Sequence, residues 1–232
     1  MTQDIRGKDR TRGIFIVDDH PVFRQGLKTL IESEENFEVI GEAAGSKEAM
    51  YMLRNLHPDA VIVDLTLGEG SGLQLIKSIR QRQRDIRILV ASMHDDMVYA
   101  ERTLRAGASG YINKEQAASK LILALREVLE GRVYLDARVA DHILQSRLHG
   151  TGDDYRAQPE DLLSNRELEV FELLGRGLSS KQIGDRLCLS HKTIDSHRER
   201  IKRKLGVDNN FLLIQRAVAW VLAETEVPVE RK

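Results

Sequence analysis

Five side chains suited to phosphoryl or metal chemistry lie at the ends of short apolar runs. Asp18 and Asp19 follow the run GIFIV, and Asp64 follows AVIV. Ser92 follows IRILVA, and Lys114 follows GYIN. If these runs are parallel strands, their carboxyl ends meet at one edge of a sheet, where open α/β sheets bind ligands. We therefore expect the five side chains to form one site.

Three carboxylates at one edge repel one another unless a cation lies among them. Hard oxygen ligands with few protein contributions suit Mg²⁺, which keeps several waters and usually shares its shell with phosphate. An ammonium and a hydroxyl nearby can bind the remaining phosphoryl oxygens, and one carboxylate can act as the nucleophile that forms an aspartyl phosphate. A single strand-end Asp is more often an ordinary polar residue, but that interpretation does not explain the whole set.

The elements that must position these residues follow from the hydrophobic pattern. Continuous apolar runs are typical of parallel strands covered on both faces. Five strands that alternate with five helices predict an α/β doubly wound, five-stranded parallel sheet. Ser46 is the predicted N-cap of the second helix. The predicted strands are 13–17, 37–41, 60–63, 86–91 and 110–113, and the predicted helices are 22–31, 46–53, 73–79, 98–104 and 117–129.

From residue 163 onward the pattern is helical. A polar linker with Gly and Pro covers 150–159, and 136–148 is predicted to form a connecting helix. The predicted boundaries are 12–131 for the α/β domain, 132–160 for a partly helical linker and 161–228 for an all-α four-helix domain. Its predicted helices are 166–175, 180–187, 191–205 and 210–224.

The predicted helix 191–205 combines a buried stripe with a basic surface. Ser190 is a suitable N-cap, and six cations share the helix with two acids, as expected for contacts to phosphates. A basic helix alone is usually a solvated surface. With the short helix 180–187 and a tight turn before it, however, this helix predicts a helix-turn-helix that enters the major groove of DNA. The predicted buried stripe is Ile194, His197, Ile201 and Leu205.

The last predicted helix, 210–224, is apolar on nearly all sides. A four-helix domain of this size cannot bury all of those side chains. We expect about half of them in the core, and an exposed remainder would be a protein–protein surface.

The charge of the chain is nearly balanced, but the charges of its two parts are not. The 232 residues carry 35 Lys and Arg against 36 Asp and Glu. Residues 1–163 hold 22 of the cations and 26 of the acids, whereas residues 164–232 hold 13 and 10. Positive charge concentrated in one part indicates a nucleic-acid partner there.

Composition excludes several protein classes. A hydrophobic fraction of 41% and a near-zero net charge argue against a disordered chain. The single cysteine, Cys188, excludes a disulfide framework and a multi-thiolate zinc site, and we expect it to be a buried structural thiol. No apolar run approaches the ~20 residues that span a bilayer, and the first residues lack a signal-peptide pattern. We therefore expect a cytoplasmic protein without a membrane partner.

The first part of the sequence resembles the receiver domain of two-component response regulators. The resemblance lies in VDDHPVFRQGL (17–27), VDLTL (63–67), VAS (90–92) and GYINK (110–114). It implies that the doubly wound sheet is of the flavodoxin-like type and that a histidine kinase phosphorylates Asp64. It also implies that the chain is not an enzyme beyond its own phosphoryl transfer and autodephosphorylation. The implied Mg²⁺ ligands are Asp18, Asp19, Asp64 and the main-chain carbonyl of Thr66. The implied phosphate-binding and switch residues are Ser92, Lys114 and Tyr111.

The second part, LSNRELEVFELLGRGLSSKQIGDRLCLSHKTIDSHRERIKRKLGV (163–207), resembles the LuxR-type helix-turn-helix. With the part before it, nearly the whole chain resembles NarL/FixJ-type response regulators. The resemblance implies binding to double-stranded DNA and a homodimer that forms on phosphorylation. The predicted DNA-binding residues are Lys181, Lys192, Thr193, Asp195, Ser196, Arg198, Glu199, Lys202 and Arg203. The predicted dimerisation residues are Phe211, Ile214, Val218 and Val221.

The phosphate-binding part of the sequence departs from the family pattern at one point. Leu67-Gly68 stands where receivers of this kind usually have Met-Pro. Because proline fixes φ and glycine frees it, we expect the loop 68–72 to be unusually flexible.

The recognition helix also departs from the family pattern. Asp195 stands where lysine is frequent, and Glu199 lies near another position that is often basic. A carboxylate can accept a hydrogen bond from cytosine N4. Our hypothesis is that Asp195 or Glu199 reads a base or orients Arg198 or Arg203 by a salt bridge. A merely solvent-facing role for both acids is equally open.

Other functions fit the sequence less well. A phosphatase resembling the haloacid dehalogenases would carry a second Asp where this chain has Thr66, and GEGSG (68–72) matches no nucleotide-binding glycine pattern. His20 is interpreted as a surface residue near the pocket. A regulator that works without phosphorylation would not need the complete set of Asp18, Asp19, Asp64, Ser92 and Lys114.

Overall fold

The computed structural model of the protein describes residues 10–68, 71–93, 96–149 and 159–225. The chain divides into two compact units, one within Met1–His149 and the other within Gly150–Lys232. No helix within these described ranges is long and apolar enough to cross a membrane.

A five-stranded parallel sheet forms the centre of the first unit. The strands are β1 Arg12–Val17, β2 Phe37–Ala43, β3 Ala60–Val63, β4 Arg87–Ser92 and β5 Gly110–Asn113. Their spatial order is β2-β1-β3-β4-β5, and all four pairings are parallel. The direction of winding reverses between β1 and β3, which is the switch point where sheets of this kind bind ligands.

Helices cover both faces of this sheet. They are α1 Pro21–Glu32, α2 Ser46–Met52, α3 Gly72–Arg82, α4 Asp96–Ala106, α5 Ala117–Leu129 and α6 Ala137–His149. Buried side chains of α1 and α5 pack with alternate strand residues such as Ile14 and Ile62. The intervening strand residues, such as Phe15 and Val61, are also buried. They face the other side of the sheet, where α2 packs against α3 and α3 packs against α4.

The predicted strands and helices of the first unit are confirmed, and their ends differ from the prediction by three residues at most. The prediction that Ser46 caps α2 is wrong. Gly45 is the N-cap residue, and Ser46 is already the first residue of the helix. The backbone N–H of Ala44, just before the N-cap, donates to the Glu48 carboxylate at 2.8 Å, so an acid in the first turn holds the segment that enters the helix.

Helix α6 lies in the segment predicted as a linker, 132–160, but it groups with the first unit and packs against α4. The residues before it extend the sheet. The N–H of Tyr134 donates to the carbonyl of Ser109 at 3.1 Å, and its carbonyl accepts from the N–H of Tyr111 at 2.9 Å. The first half of the predicted linker is therefore a structural part of the first unit, whereas residues 150–158 lie outside the described residues.

The second unit is helical, as predicted. Its helices are α7 Pro159–Leu162, α8 Asn165–Gly175, α9 Ser180–Leu187, α10 His191–Leu205 and α11 Asn210–Thr225. Helix α8 packs against α9, α10 and α11, and the rings of Phe171 and Trp220 lie 5.8 Å apart in the core. Capping boxes begin α8 and α9, formed by Ser164 with Glu167 and by Ser179 with Gln182.

Candidate functional site

The acidic site lies at the switch point between β1 and β3. Val17 is paired with Val63, so the residues that follow, Asp18 and Asp64, leave the sheet side by side. Both carboxylates are buried. Gly72 lies against the backbone of Asp64, and a Cβ at that position would be 2.0 Å from the Asp64 carbonyl oxygen. The start of α3 can therefore approach the site this closely only because residue 72 has no side chain.

Lys114 connects the two carboxylates. Its Nζ atom is 2.7 Å from Asp18 Oδ2 and 2.6 Å from Asp64 Oδ2, and the side chain is buried with them. The ammonium also lies 4.5 Å from the centre of the Phe23 ring, a cation–π distance. The residue that follows β5 thus reaches the ends of β1 and β3, as the sequence predicts.

Asp19 and His20 complete a set of donors suited to a divalent cation. Ligand atoms of Asp18, Asp19, His20 and Asp64 all lie within 4.8 Å of one another. The buried Oδ1 atom of Asp19 has no hydrogen bond of acceptable geometry in the described part of the chain, although His20 Nδ1 is 2.8 Å away. Clustered carboxylates with an unsatisfied oxygen fit a hard divalent cation. The acidic pocket therefore has the character of a divalent-metal site.

The environment of Asp64 disfavours its ionised form. Burial raises the pKa of Asp64 to about 6, and the charge of Asp18 acts in the same direction, whereas Lys114 and the backbone N–H of Thr66 oppose the rise. The N–H of Thr66 donates to Asp64 Oδ1 at 3.2 Å. The pocket thus concentrates negative charge that a bound cation would neutralise.

The remaining predicted residues of the pocket lie on the two strands beyond β3. Ser92 ends β4 and is buried, and Tyr111 is buried in β5 next to Val90. Within the loop predicted to be flexible, residues 69 and 70 lie outside the described residues.

A helix-turn-helix forms from α9 and α10, as predicted. Ser190 caps α10, and its hydroxyl accepts a hydrogen bond from the N–H of Thr193 at 3.1 Å. Ile194, Ile201 and Leu205 are buried, whereas His197 is only partly buried. The prediction that Cys188 is buried is wrong. It is exposed, because the chain reverses there with a left-handed backbone (φ 52°) that turns the residue out of the core.

Several cations of α10 contact groups within the second unit. Arg198 Nη1 donates to the hydroxyl of Ser180 at 2.5 Å, and Lys204 Nζ is 2.6 Å from Glu167 Oε2. Glu167 is the buried acid of the α8 capping box. These two cations therefore hold α10 to α9 and α8.

The two acids of α10 have partners other than those predicted. Asp195 Oδ2 lies 3.0 Å from His191 Nδ1, and Glu199 Oε1 lies 2.8 Å from Lys202 Nζ. Within the described chain neither acid pairs with Arg198 or Arg203, so the predicted salt bridge to one of those arginines is wrong. Of the predicted DNA-binding residues, the exposed ones are Lys181, Lys192, Ser196, Glu199 and Arg203, and the partly exposed ones are Thr193, Asp195, Arg198 and Lys202.

Helix α11 divides into a buried side and an exposed side. Leu213, Ala217 and Trp220 are buried against the rest of the unit. Phe211 and Ile214, both predicted for dimerisation, are exposed, and the other two predicted residues, Val218 and Val221, are partly buried. An apolar strip thus remains at the surface, as expected from the sequence.

Sequence reasoning missed several residues of these sites. Phe23 beside Lys114, and Ser180 and Glu167 beside the basic helix, are contacts across the fold that no local pattern reveals. The interpretation of His20 as a surface residue near the pocket is confirmed, because its side chain is 62% exposed and its Nδ1 atom lies 2.8 Å from Asp19 Oδ1.

These observations define the class of the protein, a receiver fold with an acidic pocket followed by a helix-turn-helix domain. Residues 14–126 match the family of response regulator receiver domains, and residues 161–217 match the luxR family of bacterial regulatory proteins. The oxygen regulatory protein NreC of Staphylococcus carnosus (strain TM300) is 34% identical over 208 residues, which cover 88% of this chain and 96% of that protein. The chain belongs to the NarL/FixJ-type response regulators, which are DNA-binding transcription regulators.

Solved structures agree with this assignment. A LuxR-family two-component response regulator from Aurantimonas sp. SI85-9A1 is 37% identical with a TM-score of 0.56, over 60% of this chain and 99% of that chain. RcsB from Salmonella enterica serovar Typhimurium, bound to promoter rprA in the presence of phosphomimetic BeF3-, is 27% identical with a TM-score of 0.57, over 90% of this chain and 99% of that chain.

Proposed function

We propose that a histidine kinase phosphorylates Asp64, and that the phosphorylated protein binds double-stranded DNA as a homodimer to regulate transcription in the cytoplasm. The observation that carries this proposal is the buried ammonium of Lys114, which lies within 2.7 Å of both Asp18 and Asp64 beside the unsatisfied oxygen of Asp19. A purely structural ion pair would not need a third acid beside it.

In the proposed reaction, the Asp64 carboxylate attacks the phosphorus of a phosphohistidine. The P–N bond breaks, its electron pair stays on the imidazole nitrogen, and Asp64 becomes an acyl phosphate. A Mg²⁺ ion held by Asp18, Asp19, Asp64 and the carbonyl of Thr66 would neutralise charge on the phosphoryl oxygens. Lys114 is already directed at Asp64, so its ammonium can pair with the new phosphate.

Ser92 and Tyr111 are proposed to transmit the change. A phosphoryl group brings about two negative charges and strong acceptor oxygens, which the Ser92 hydroxyl can bind from the end of the neighbouring strand β4. Tyr111 is paired with that strand. A shift of β4 towards the phosphate is therefore expected to alter the packing of the Tyr111 ring.

The helix-turn-helix is the proposed DNA-binding surface, and the exposed apolar strip of α11 is the proposed dimer contact. RcsB, 27% identical to this chain, has been solved on promoter DNA and as dimers on DNA. A two-fold dimer presents two recognition helices to two half-sites. We also propose that the chain has no enzymatic activity beyond its own phosphoryl transfer and dephosphorylation, because Thr66 occupies the position where a phosphatase of the haloacid type needs an acid.

The chemical step can be tested by incubating the full chain with acetyl phosphate and Mg²⁺ and measuring its intact mass. The wild type is expected to gain one phosphoryl group, and Asp64→Asn is expected to gain none. Asp85→Asn is the matched control, because Asp85 is an exposed aspartate outside the pocket. Phosphorylation of Asp64→Asn to the wild-type level would contradict the proposal.

A further inference from the structure

The outward surface of α10 carries both acids of the helix. Ile194 and Ile201 are buried, and Asp195 and Glu199 follow one another by one turn of the helix outside this buried stripe. Glu199 lies roughly opposite the two isoleucines, and Asp195 lies about a quarter turn from Ile194. The side chains of the two acids are 50% and 64% exposed. The surface proposed to meet DNA therefore presents two carboxylates.

Three cations of α10 are available for contacts with the phosphate backbone. Lys192, Arg200 and Arg203 are exposed and have no ion-pair partner within the described ranges of the chain. Contacts from such cations to phosphates fix the position of a protein on DNA but carry no sequence information. Arg and Lys can also read guanine, whereas an exposed acid cannot contact phosphates and can only accept hydrogen bonds from donors such as the amino groups of bases.

Asp195 is better placed than Glu199 to contact a base. It is the fifth residue of α10, and recognition helices contact base edges with their N-terminal residues. His191 lies beside its Oδ2 atom, whereas Oδ1 has no hydrogen-bond or ion-pair partner among the described residues. Glu199 lies one turn further along and is paired with Lys202, whose side chain is only 15% exposed.

A carboxylate that faces DNA is repelled by phosphates, and a hydrogen bond donated by a base can offset this repulsion. In the major groove the preferred donor for Asp or Glu is the N4 amino group of cytosine. We propose that Asp195 reads a cytosine in each half-site of the operator and that Glu199 reads no base. This inference rests on the proposed DNA-binding function and adds the residue and the base that provide specificity.

The test is binding-site selection with the full-length protein, phosphodonor and Mg²⁺, followed by affinities for operators changed at single bases. The wild type is expected to prefer cytosine at one position of each half-site by about 5- to 150-fold. Asp195→Asn should lose that preference and favour adenine there, because an amide pairs with adenine N6 and N7. Glu199→Gln is the matched control and should change affinity for all operators by one common factor.

Two results separate failure of this inference from failure of the proposed function. If Asp195→Asn binds the wild-type operator with the same base preference, or changes all affinities by one factor as Glu199→Gln does, Asp195 does not read a base. If the phosphorylated wild type shows no sequence-selective binding to DNA, the proposed function is wrong, and this inference with it.

Discussion

Replacing Asp64 by Asn should stabilise the metal-free protein at neutral pH. Asp64 is 2% exposed, and burial raises the pKa of its carboxyl group from the ordinary value of 3.8 to about 6. A difference of about two pH units corresponds to a cost of about 3 kcal/mol for ionising this group in the folded state. Asparagine has nearly the same shape and no charge, so it avoids that cost.

The size of this effect depends on pH in a definite direction. Above pH 6 the carboxyl group is ionised in both the folded and the unfolded chain, so the full cost is present. As the pH falls from 6 towards 3.8, the folded protein takes up the proton first and the cost declines. The advantage of Asp64→Asn should therefore be at most about 3 kcal/mol at neutral pH and vanish near pH 4. Mg²⁺ should stabilise the wild type and narrow the difference.

The assay is urea unfolding in EDTA at several pH values, followed by circular dichroism. The single tryptophan, Trp220, lies in the second unit, so its fluorescence separates unfolding there from unfolding of the first unit. Asp85→Asn is the control and should change stability by less than about 0.5 kcal/mol, as exposed substitutions do. A less stable Asp64→Asn in EDTA at neutral pH, or an advantage independent of pH, would refute the reasoning.

Three further predictions concern stability and positioning. Ser190→Ala should lower the free energy of unfolding of the second unit by about 1 kcal/mol, because α10 loses its N-cap, whereas Ser190→Asp should keep the wild-type stability. Tryptophan fluorescence during urea unfolding measures both variants. Against the effect of burial, the hydrogen bond from Lys204 holds the pKa of Glu167 below its usual value. The second unit should therefore lose stability as the pH falls below about 4.3. If the stability of Glu167→Gln depends on pH in the same way as that of the wild type, this prediction is wrong. Gly72→Ala should destabilise the first unit by about 1–3 kcal/mol and slow the phosphorylation of Asp64, because the new Cβ would overlap the Asp64 carbonyl. Urea unfolding and intact mass over time measure the two effects, and wild-type values in both would contradict this prediction.

The order of the elements could be read from the sequence because the physical signals are local. Buried parallel strands need continuous apolar runs such as AVIV, and each helix needs an apolar side of its own. The strand order then brings Asp18, Asp64 and Lys114 together, since the carboxyl ends of parallel strands share one edge. Most of the acidic pocket follows from this single rule.

The partners of individual charged groups could not be read in the same way. Arg198 pairs with Ser180, and Lys204 pairs with Glu167, across distances in sequence that depend on how the helices pack. The exposure of Cys188 depends on a left-handed backbone at the turn, which residue type alone does not reveal. Asp195 has several possible partners three or four residues away on the helix, so the sequence alone does not indicate that it pairs with His191.

The most direct test of the central claim is the affinity for an operator, measured together with the dimer content, before and after addition of phosphodonor and Mg²⁺. The wild type is predicted to dimerise and bind more tightly after phosphorylation, and Asp64→Asn is predicted to respond in neither measurement. A phosphodonor-dependent increase in dimerisation or DNA affinity in Asp64→Asn would contradict the claim that Asp64 controls the protein.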